Sequence, residues 1–209
     1  QWSVAALRVA RLEPERLPIP VMDVQTVGVS ERYGAEVMTA VGDAQAALLG
    51  SELALSQLSM NIATGCQVSV LSPRAASPAQ LRPYFDGCYL HTVTHLPAGR
   101  LLRDAVRTDL GHEPNDDEWH EALQLTPDHD SATGRALVTI AEGCVDAAHR
   151  LGTGSAIVFS GGLAQQIPAL RERIAGLLGM SYSVFPGDDA ALDGLRRLDL
   201  GQRNSPERT

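Results

Sequence analysis

The 209-residue chain has few of the features that mark several classes of protein. It has only three cysteines, Cys66, Cys88 and Cys144, which are widely spaced and form no C-x-x-C pair. An odd, scattered set fits neither a disulfide framework nor a zinc site, so we expect buried thiols. The 17 lysines and arginines are dispersed, the net charge is -8 and the pI is near 5.2. Without a basic run to follow a phosphate backbone, nucleic acid is not expected as a partner.

Long hydrophobic runs are also missing. No apolar stretch approaches the roughly 20 residues that a membrane-spanning helix needs, and no charged segment followed by an apolar one opens the chain. We therefore expect a soluble, cytoplasmic protein with no membrane partner. With 44% hydrophobic and 20% charged residues, the chain is long enough for one substantial core, or for a core and a small lobe.

The first 34 residues differ in composition from the rest. The pattern from Trp2 to Arg11 is that of the middle of a short helix, ended before Pro14. Because the chain opens with such a pattern at Gln1, we expect a piece of a longer polypeptide. Residues 12–34 contain three prolines and two glycines, which is typical of an extended crossing segment. We therefore divide the chain into an N-terminal helix and crossing segment (1–34), a single lobe (35–200) and a polar tail (201–209).

Beyond residue 35 the pattern changes repeatedly between strand and helix. Strands are predicted at residues 37–41, 58–63, 66–71, 156–159 and 182–185, with a further pair over residues 84–95 that turns near Asp86-Gly87. Helices are predicted at residues 44–56, 97–109, 134–151 and 163–178, and others from Asn115 and Asp188. The stretch Asn115-Asp116-Asp117-Glu118 has the form of a capping box.

Two polar clusters resemble metal sites but do not predict one. His91 and His95 are four residues apart, which suits a metal only on a helix. Residues 92–94 favour a strand, in which the two side chains would stand roughly 13 Å apart. The acidic residues 116–118 compensate a helix dipole. No metal-binding residue is predicted.

One carboxylate stands between a predicted strand and a predicted helix. The apolar run from Val37 stops at Gly42, Asp43 follows, and an alanine-rich helical pattern begins at Ala44. A short polar side chain held by two rigid elements can be placed accurately against a reacting atom. The alternative is an ordinary N-cap, since Asp is among the preferred capping residues.

Two further turns have features of anion-binding sites. The predicted hairpin has Thr64-Gly65 at its tip, where backbone N–H groups and a hydroxyl can meet an anion, and a plain surface hairpin is the alternative. Gly161-Gly162 lie between a buried strand and a helix, where missing Cβ atoms let a base or a phosphate approach the backbone. Each motif is weak alone.

Taken in order, these stretches resemble the C-terminal half of the FGGY carbohydrate kinases. The resemblance covers most of the chain and is carried by residues 42–47, 63–66, 98–102, 160–166 and 190–194. The stretch Asn61-Ile62-Ala63-Thr64-Gly65-Cys66-Gln67 is most similar to the sedoheptulokinase branch, whose hairpin is also followed by Gln.

The resemblance implies an α/β fold of the actin-like (ribonuclease H-like) ATPase type, with a mixed sheet flanked by helices. The chain would be the second lobe of a two-lobed kinase that uses ATP and Mg²⁺ to phosphorylate a sugar such as sedoheptulose or a pentulose. Its implied partners are the sugar substrate and an N-terminal lobe, in the same chain or a partner chain. We expect this lobe to be inactive in isolation. The sequence leaves open whether the protein forms a homo-oligomer.

The resemblance also implies roles for individual residues. Asp43 would be the general base that takes the proton from the sugar hydroxyl as it attacks the γ-phosphate. The implied nucleotide contacts are Thr64 and Gly65 at the phosphates, Gly99 at the border of the nucleotide, and Gly161, Gly162 and Gln166 at its adenosine or α-phosphate.

Three positions depart from the family's pattern. Gln67 replaces the second glycine of the hairpin, Gln166 stands where many relatives have Asn, and Asp193 stands where a small residue is usual. The family's first lobe is also absent from these residues. These departures support an alternative, a non-catalytic module of the same fold that senses a sugar or a nucleotide.

Overall fold

The computed structural model describes residues 3–17, 24–75, 79–128, 130–152, 154–185 and 190–203. The chain divides into two compact units, residues 1–42 and residues 43–209. The boundary that we place after residue 34 falls inside the first unit, and our division into domains stays a prediction. None of the helices in the described ranges is both long and apolar enough to cross a bilayer.

The first unit contains a short helix and a hairpin. Helix α1 (Val4–Ala10) begins after Ser3, whose Oγ accepts a bond from the Ala6 N–H, and it ends before Pro14 as predicted. Strands β1 (Thr26–Val29) and β2 (Glu36–Met38) pair antiparallel. The strand predicted at residues 37–41 is therefore wrong in part, because β2 ends at Met38 and residues 39–42, which precede Asp43, form no strand. The hairpin was not predicted, because its turn depends on the left-handed backbone of Gly34 (φ 61°). Residues 18–23 of the predicted crossing segment lie outside the described residues.

A six-stranded mixed sheet is the centre of the second unit. Its strands are β3 (Gln57–Ile62), β4 (Cys66–Ser72), β5 (Gln80–Pro83), β6 (Tyr89–Leu96), β7 (Ala156–Ser160) and β8 (Ser181–Val184). They lie in the order β5-β6-β4-β3-β7-β8. Strands β3, β4, β6 and β5 pair antiparallel, whereas β7 is parallel to both β3 and β8. The predicted β3–β4 hairpin is confirmed.

Seven helices of the described residues accompany this sheet. They are α2 (Asp43–Gly50), α3 (Gly99–Leu110), α4 (Asp116–Ala122), α5 (Ala132–Leu151), α6 (Gly162–Gln166), α7 (Pro168–Leu178) and α8 (Ala190–Arg203). The capping box of α4 is confirmed, since Asn115 and Glu118 exchange side chain–backbone bonds of 3.0 and 2.9 Å. Residues 201–203 of the predicted tail belong to α8, and residues 204–209 lie outside the described part.

Two predicted helices differ from the structure. The helix predicted over residues 44–56 ends at Gly50, because the chain turns back at Glu52 (φ 55°) to bury Leu53. The helix predicted over residues 163–178 is two helices that meet at Ile167, which has non-helical angles (φ -115°, ψ 84°). Pro168 has no N–H to continue the first helix, and it suits the first position of the second.

The two faces of the sheet bury different side chains. One face packs against α3, α5 and α7 and carries the main apolar core, which includes Leu58, Met60, Ile62, Val68 and Phe159. Among the described residues, the other face carries a smaller apolar cluster beneath α2, formed by Leu48, Leu53, Leu71, Leu90 and Val158. Because neighbouring residues of a strand face opposite sides, the residues between the core positions of β3 and β4 lie on this second face. There they are polar, namely Ser59, Asn61, Gln67 and Ser69.

Candidate functional site

A cavity of about 800 Å³ lies over the polar part of the second face, and we call it the larger cavity. Its walls include the first residues of α2 and α8, the tip of the β3–β4 hairpin and the turn after β7. Five residues that the sequence analysis selected line it: Asp43, Thr64, Gly65, Gly161 and Gly162. These residues come from three stretches separated by up to 119 positions in the sequence, and all three stretches line one cavity.

Asp43 is the first residue of α2, and its side chain is exposed at the cavity wall. Its Oδ1 accepts a bond of 2.7 Å from the N–H of Ala44, the next residue. An N-capping side chain instead accepts from the second or third N–H beyond it. Two residues further along α2, the Gln45 Nε2 donates to the carbonyl oxygen of Pro83 at 2.6 Å, which joins this helix to the end of β5.

The floor of the larger cavity is a patch of polar strand residues. Asn61 stands opposite Gln67 of β4 and opposite Ser160 of β7, and all three line the cavity together with Thr94 of β6. Two residues along each strand from Gln67 and Thr94, the buried hydroxyls of Ser69 and Thr92 bond to each other at 3.0 Å. This floor was not predicted from the sequence. Its signal was the alternation of buried apolar and polar residues along β3 and β4.

Two basic side chains also line the larger cavity, and neither was selected as a site residue. Arg82 of β5 is half-buried, and its Nη2 donates to the Gln80 Oε1 at 3.2 Å. His95 near the end of β6 has a left-handed backbone (φ 62°), and its Nδ1 lies 2.8 Å from the Thr94 Oγ1. A residue other than glycine is strained in the left-handed backbone conformation, and such strained residues are common at functional sites.

His91 and His95 lie on one strand, as predicted. His91 is buried and bonds through its Nε2 to the carbonyl oxygen of Arg74 at 2.8 Å, whereas His95 is exposed. No group of three or more His, Cys, Asp or Glu residues that could hold a metal ion occurs in the described ranges.

The four selected glycines fall into two classes. A Cβ at Gly65 or Gly162 would have no heavy atom within 4 Å, so both positions leave open space at the cavity wall. A Cβ at Gly161 (φ 89°) would lie 2.6 Å from the Ile62 carbonyl oxygen. A Cβ at Gly99 would lie 2.9 Å from the carbonyl oxygen of Ala63, to which the Gly99 N–H also donates at 3.0 Å. The first class offers room to a ligand, and the second is required by the packing of the backbone.

A smaller cavity of about 530 Å³ is lined by residues that include Thr64, Gly99, Arg103, Trp119 and Leu163. Thr64 lines both cavities, so the hairpin tip lies between them. Gln166, at the end of α6, is exposed and is not among the residues that line either cavity. Its contact with a nucleotide stays a prediction.

A pair of thiols lies behind the hairpin tip. Cys66 and Cys144 are both buried, as expected, and their Sγ atoms are 3.5 Å apart without a disulfide. The contact with Cys66 and burial raise the pKa of the Cys144 thiol well above its usual value. Cys88 is only partly buried, so the expectation of buried thiols is wrong in part.

The chain matches no protein-family model and no curated protein. Solved structures do match: xylulose kinase from Lactobacillus acidophilus has a TM-score of 0.72 at 14% identity, over 98% of this chain and 53% of that chain. Gluconate kinase from the same organism has a TM-score of 0.77 at 13% identity, with the same coverage. Glycerol kinase from Plasmodium falciparum, solved with ADP, has a TM-score of 0.71 at 13% identity, over 99% and 52%.

The chain has the fold of the C-terminal lobe of the actin-like FGGY kinases. This confirms the predicted fold class, a mixed sheet flanked by helices. The chain spans about half the length of the kinases that it matches. At 13–14% identity the likeness is one of fold, so the sugar and the sedoheptulokinase branch stay proposals.

Proposed function

We propose that this chain is the C-terminal, nucleotide-binding lobe of an ATP-dependent sugar kinase. Its acceptor would be a ketose such as sedoheptulose or a pentulose, and a further, N-terminal lobe would form the other wall of the cleft. One observation carries the proposal: Asp43, the tip Thr64-Gly65 and the turn Gly161-Gly162 line a single cavity. The fold shared with sugar kinases supports it.

In this proposal Asp43 is the general base. Phosphoryl transfer needs an aligned hydroxyl and stabilisation of the developing charge more than covalent help from the protein. A carboxylate that is exposed at the cavity wall and bonds to the Ala44 N–H is free on its other oxygen to accept a hydroxyl proton. The polar floor of Asn61, Gln67 and Thr94 supplies neutral hydrogen-bonding groups beside it.

The nucleotide would lie across the hairpin tip. The open positions at Gly65 and Gly162 fit phosphate groups against the backbone. Thr64 lines both cavities, so a nucleotide with its phosphates in the larger cavity can extend its base into the smaller one, beside Trp119 and Leu163.

A magnesium ion would neutralise phosphate charge here. Asp43 is the acidic residue among the described residues that line the larger cavity, and its role as base leaves no oxygen for a metal, since one accepts from the Ala44 N–H and the other takes the proton. The ion would therefore be held by the phosphates of the nucleotide together with ligands from the further lobe.

The alternative is a module that senses a sugar or a nucleotide without catalysis. Gln67 favours it, because its side chain lines the cavity where the kinase pattern has a glycine. A side chain at that position narrows the space for phosphates beside Gly65.

An Asp43→Asn variant of the complete two-lobed protein tests the proposal. We expect the rate of sugar phosphorylation to fall by at least about 100-fold, because the amide cannot accept the proton, while ATP affinity changes little. The matched control is Asp104→Asn on α3, whose exposed carboxylate pairs with Arg107. A variant Asp43→Asn with the normal rate would overturn the catalytic role. Calorimetry that finds no binding of ATP with Mg²⁺ would favour the sensing module.

A further inference from the structure

Arg82 is a basic side chain at the larger cavity that the proposed transfer of phosphate does not require. It is half-buried, and it forms no ion pair with a carboxylate within the described residues. Its Nη2 donates to the neutral amide oxygen of Gln80. A guanidinium has five N–H donors, so most of them remain for a ligand. A cation that is partly withdrawn from water beside a cavity favours an anion there.

The register of the sheet places Arg82 far from the hairpin tip. Arg82 pairs with Leu90 of β6, and Leu90 pairs with Leu71 of β4. Leu71 is six residues beyond Gly65 along an extended strand, which corresponds to about 20 Å. The backbone of Arg82 therefore lies well away from Thr64 and Gly65, where the phosphates of the nucleotide would bind.

Arg82 is instead joined to the helix that carries Asp43. Pro83, the next residue, accepts the bond of 2.6 Å from Gln45, which is two residues beyond Asp43. Because this bond ties the end of β5 to the first turn of α2, the base and the guanidinium belong to one connected wall. The neutral side chains of Asn61, Gln67 and Thr94 form the floor of the same cavity.

We propose that Arg82 binds an anionic group of the acceptor, so that the acceptor is an acidic sugar, with a carboxylate or a phosphate ester. One hydroxyl would meet Asp43, the polar floor would receive other hydroxyls, and the guanidinium fork would hold the anion with two parallel bonds. The assignment of the ligand as an acceptor rests on the proposed kinase function. It replaces the neutral ketose of that proposal with an acceptor that carries a negative charge.

Matched pairs of ligands isolate the effect of the charge. D-gluconate and D-glucitol differ only in a terminal carboxylate or hydroxymethyl group, as do D-xylonate and xylitol. Calorimetry with the complete two-lobed protein should show each acid binding about 10- to 100-fold more tightly than its polyol. Arg82→Gln should bring that ratio close to one. Arg107→Gln, on the exposed face of α3, should leave it unchanged.

A third ligand, D-glucitol 6-phosphate, distinguishes the two kinds of anion. If it exceeds gluconate in affinity and loses the advantage in Arg82→Gln, the anion is a phosphate ester. If gluconate is the tighter ligand, the anion is a carboxylate. Thermal unfolding of each variant checks that Arg82→Gln retains the fold, and Arg82→Lys, which keeps the charge without the fork, should retain part of the preference.

Three binding results would overturn the proposal. The first is equal affinity for the acid and the polyol of both pairs, and the second is a preference for the acid that survives Arg82→Gln. The third is an Arg82→Gln variant that binds a non-hydrolysable ATP analogue more weakly and the acids unchanged, which would assign Arg82 to the donor. Binding needs no phosphate transfer. A preference for the acids that depends on Arg82, found without any phosphorylation, would therefore refute only the proposed kinase function. Phosphorylation of a neutral ketose as fast as that of the acids, with both rates unchanged in Arg82→Gln, would refute only the anion site.

Discussion

Gly194 of α8 lies so close to Ala46 of α2 that a Cβ on the glycine would stand 1.8 Å from the alanine carbonyl oxygen. The reverse contact occurs one turn along, where a Cβ on Gly50 would stand 2.0 Å from the Ala190 carbonyl oxygen. Both neighbours are backbone atoms, which cannot turn aside as a side chain does. Because Asp43 begins α2, this helix crossing sets the position of the proposed base.

We expect Gly194→Ala to destabilise the protein by about 1–2 kcal/mol. Alanine is more favourable than glycine inside a helix by about 1 kcal/mol. A clash with rigid backbone costs roughly 1–3 kcal/mol, and the short distance here places the cost at the upper end. Unfolding in urea measures the change. Gly176→Ala on α7 is the matched control, since its Cβ would meet nothing within 4 Å and should stabilise by about 0.5–1 kcal/mol. Equal effects of the two substitutions would contradict the packing argument.

Neighbouring glycines after β7 should respond differently to alanine. Gly161→Ala should destabilise by roughly 2 kcal/mol or more, because it combines a left-handed backbone with a Cβ placed 2.6 Å from the Ile62 carbonyl oxygen. Gly162→Ala should leave stability nearly unchanged, since its Cβ enters open space.

Gly162→Ala should weaken ADP binding, because the added methyl group occupies the position that we assign to the nucleotide. Urea unfolding and calorimetry, applied to both variants, separate the two effects. An unaltered affinity for ADP in Gly162→Ala would argue against a nucleotide at this turn.

The carboxylate of Asp109 holds the first turn of α5. Its Oδ1 accepts from the Ala132 N–H at 2.9 Å, and its Oδ2 accepts from the N–H and hydroxyl of Thr133 at 2.8 and 2.6 Å. The bond from the Thr133 hydroxyl is the main cause of an Asp109 pKa below its ordinary value of 3.8. The unfolded chain then takes up the proton first as the pH falls. The stabilisation is therefore complete above about pH 4 and is lost as the pH drops through the lowered pKa.

We expect Asp109→Asn to lower the free energy of unfolding by about 0.5–1 kcal/mol at pH 7. The loss should lie at the lower end of this range, because water screens the charge of an exposed carboxylate. The difference from wild type should shrink as the pH falls below 4. Urea titrations at pH 7, 5 and 3 measure it, and Asp146→Asn, at an exposed position within α5, serves as the control. A difference that is the same at pH 7 and pH 3 would contradict the role of the charge.

The three thiols should differ in reactivity. The thiolate is the form that reacts with iodoacetamide, and burial with the Cys66 contact keeps Cys144 protonated by raising its pKa. At pH 7.5 we expect Cys88, which is partly exposed, to be alkylated first in the native protein. Timed mass spectrometry identifies the modified residue, and Cys88→Ser should remove the fast phase. Rapid labelling of Cys144 in the folded protein would contradict this order.

Much of the local structure follows from short stretches of sequence. The hairpin of β3 and β4 and the helix α5 were predicted within a few residues, because their apolar residues recur at the spacing of a strand or a helix. The capped start of α4 was predicted from Asn115 and Glu118 alone. The predictions failed where a left-handed residue or a proline ended an element, as at Glu52 and Pro168.

By itself, the sequence determined the helix that begins at Asp43, the hairpin tip at Thr64-Gly65 and the turn at Gly161-Gly162, since each is a local pattern. Only the tertiary structure decided that they line one cavity, because the order β5-β6-β4-β3-β7-β8 depends on pairing between distant segments. It also decided which glycines leave room for a ligand, as at Gly65 and Gly162, and which are required by packing, as at Gly161. The backbone that a missing Cβ would strike comes from another part of the chain, so no local pattern contains it.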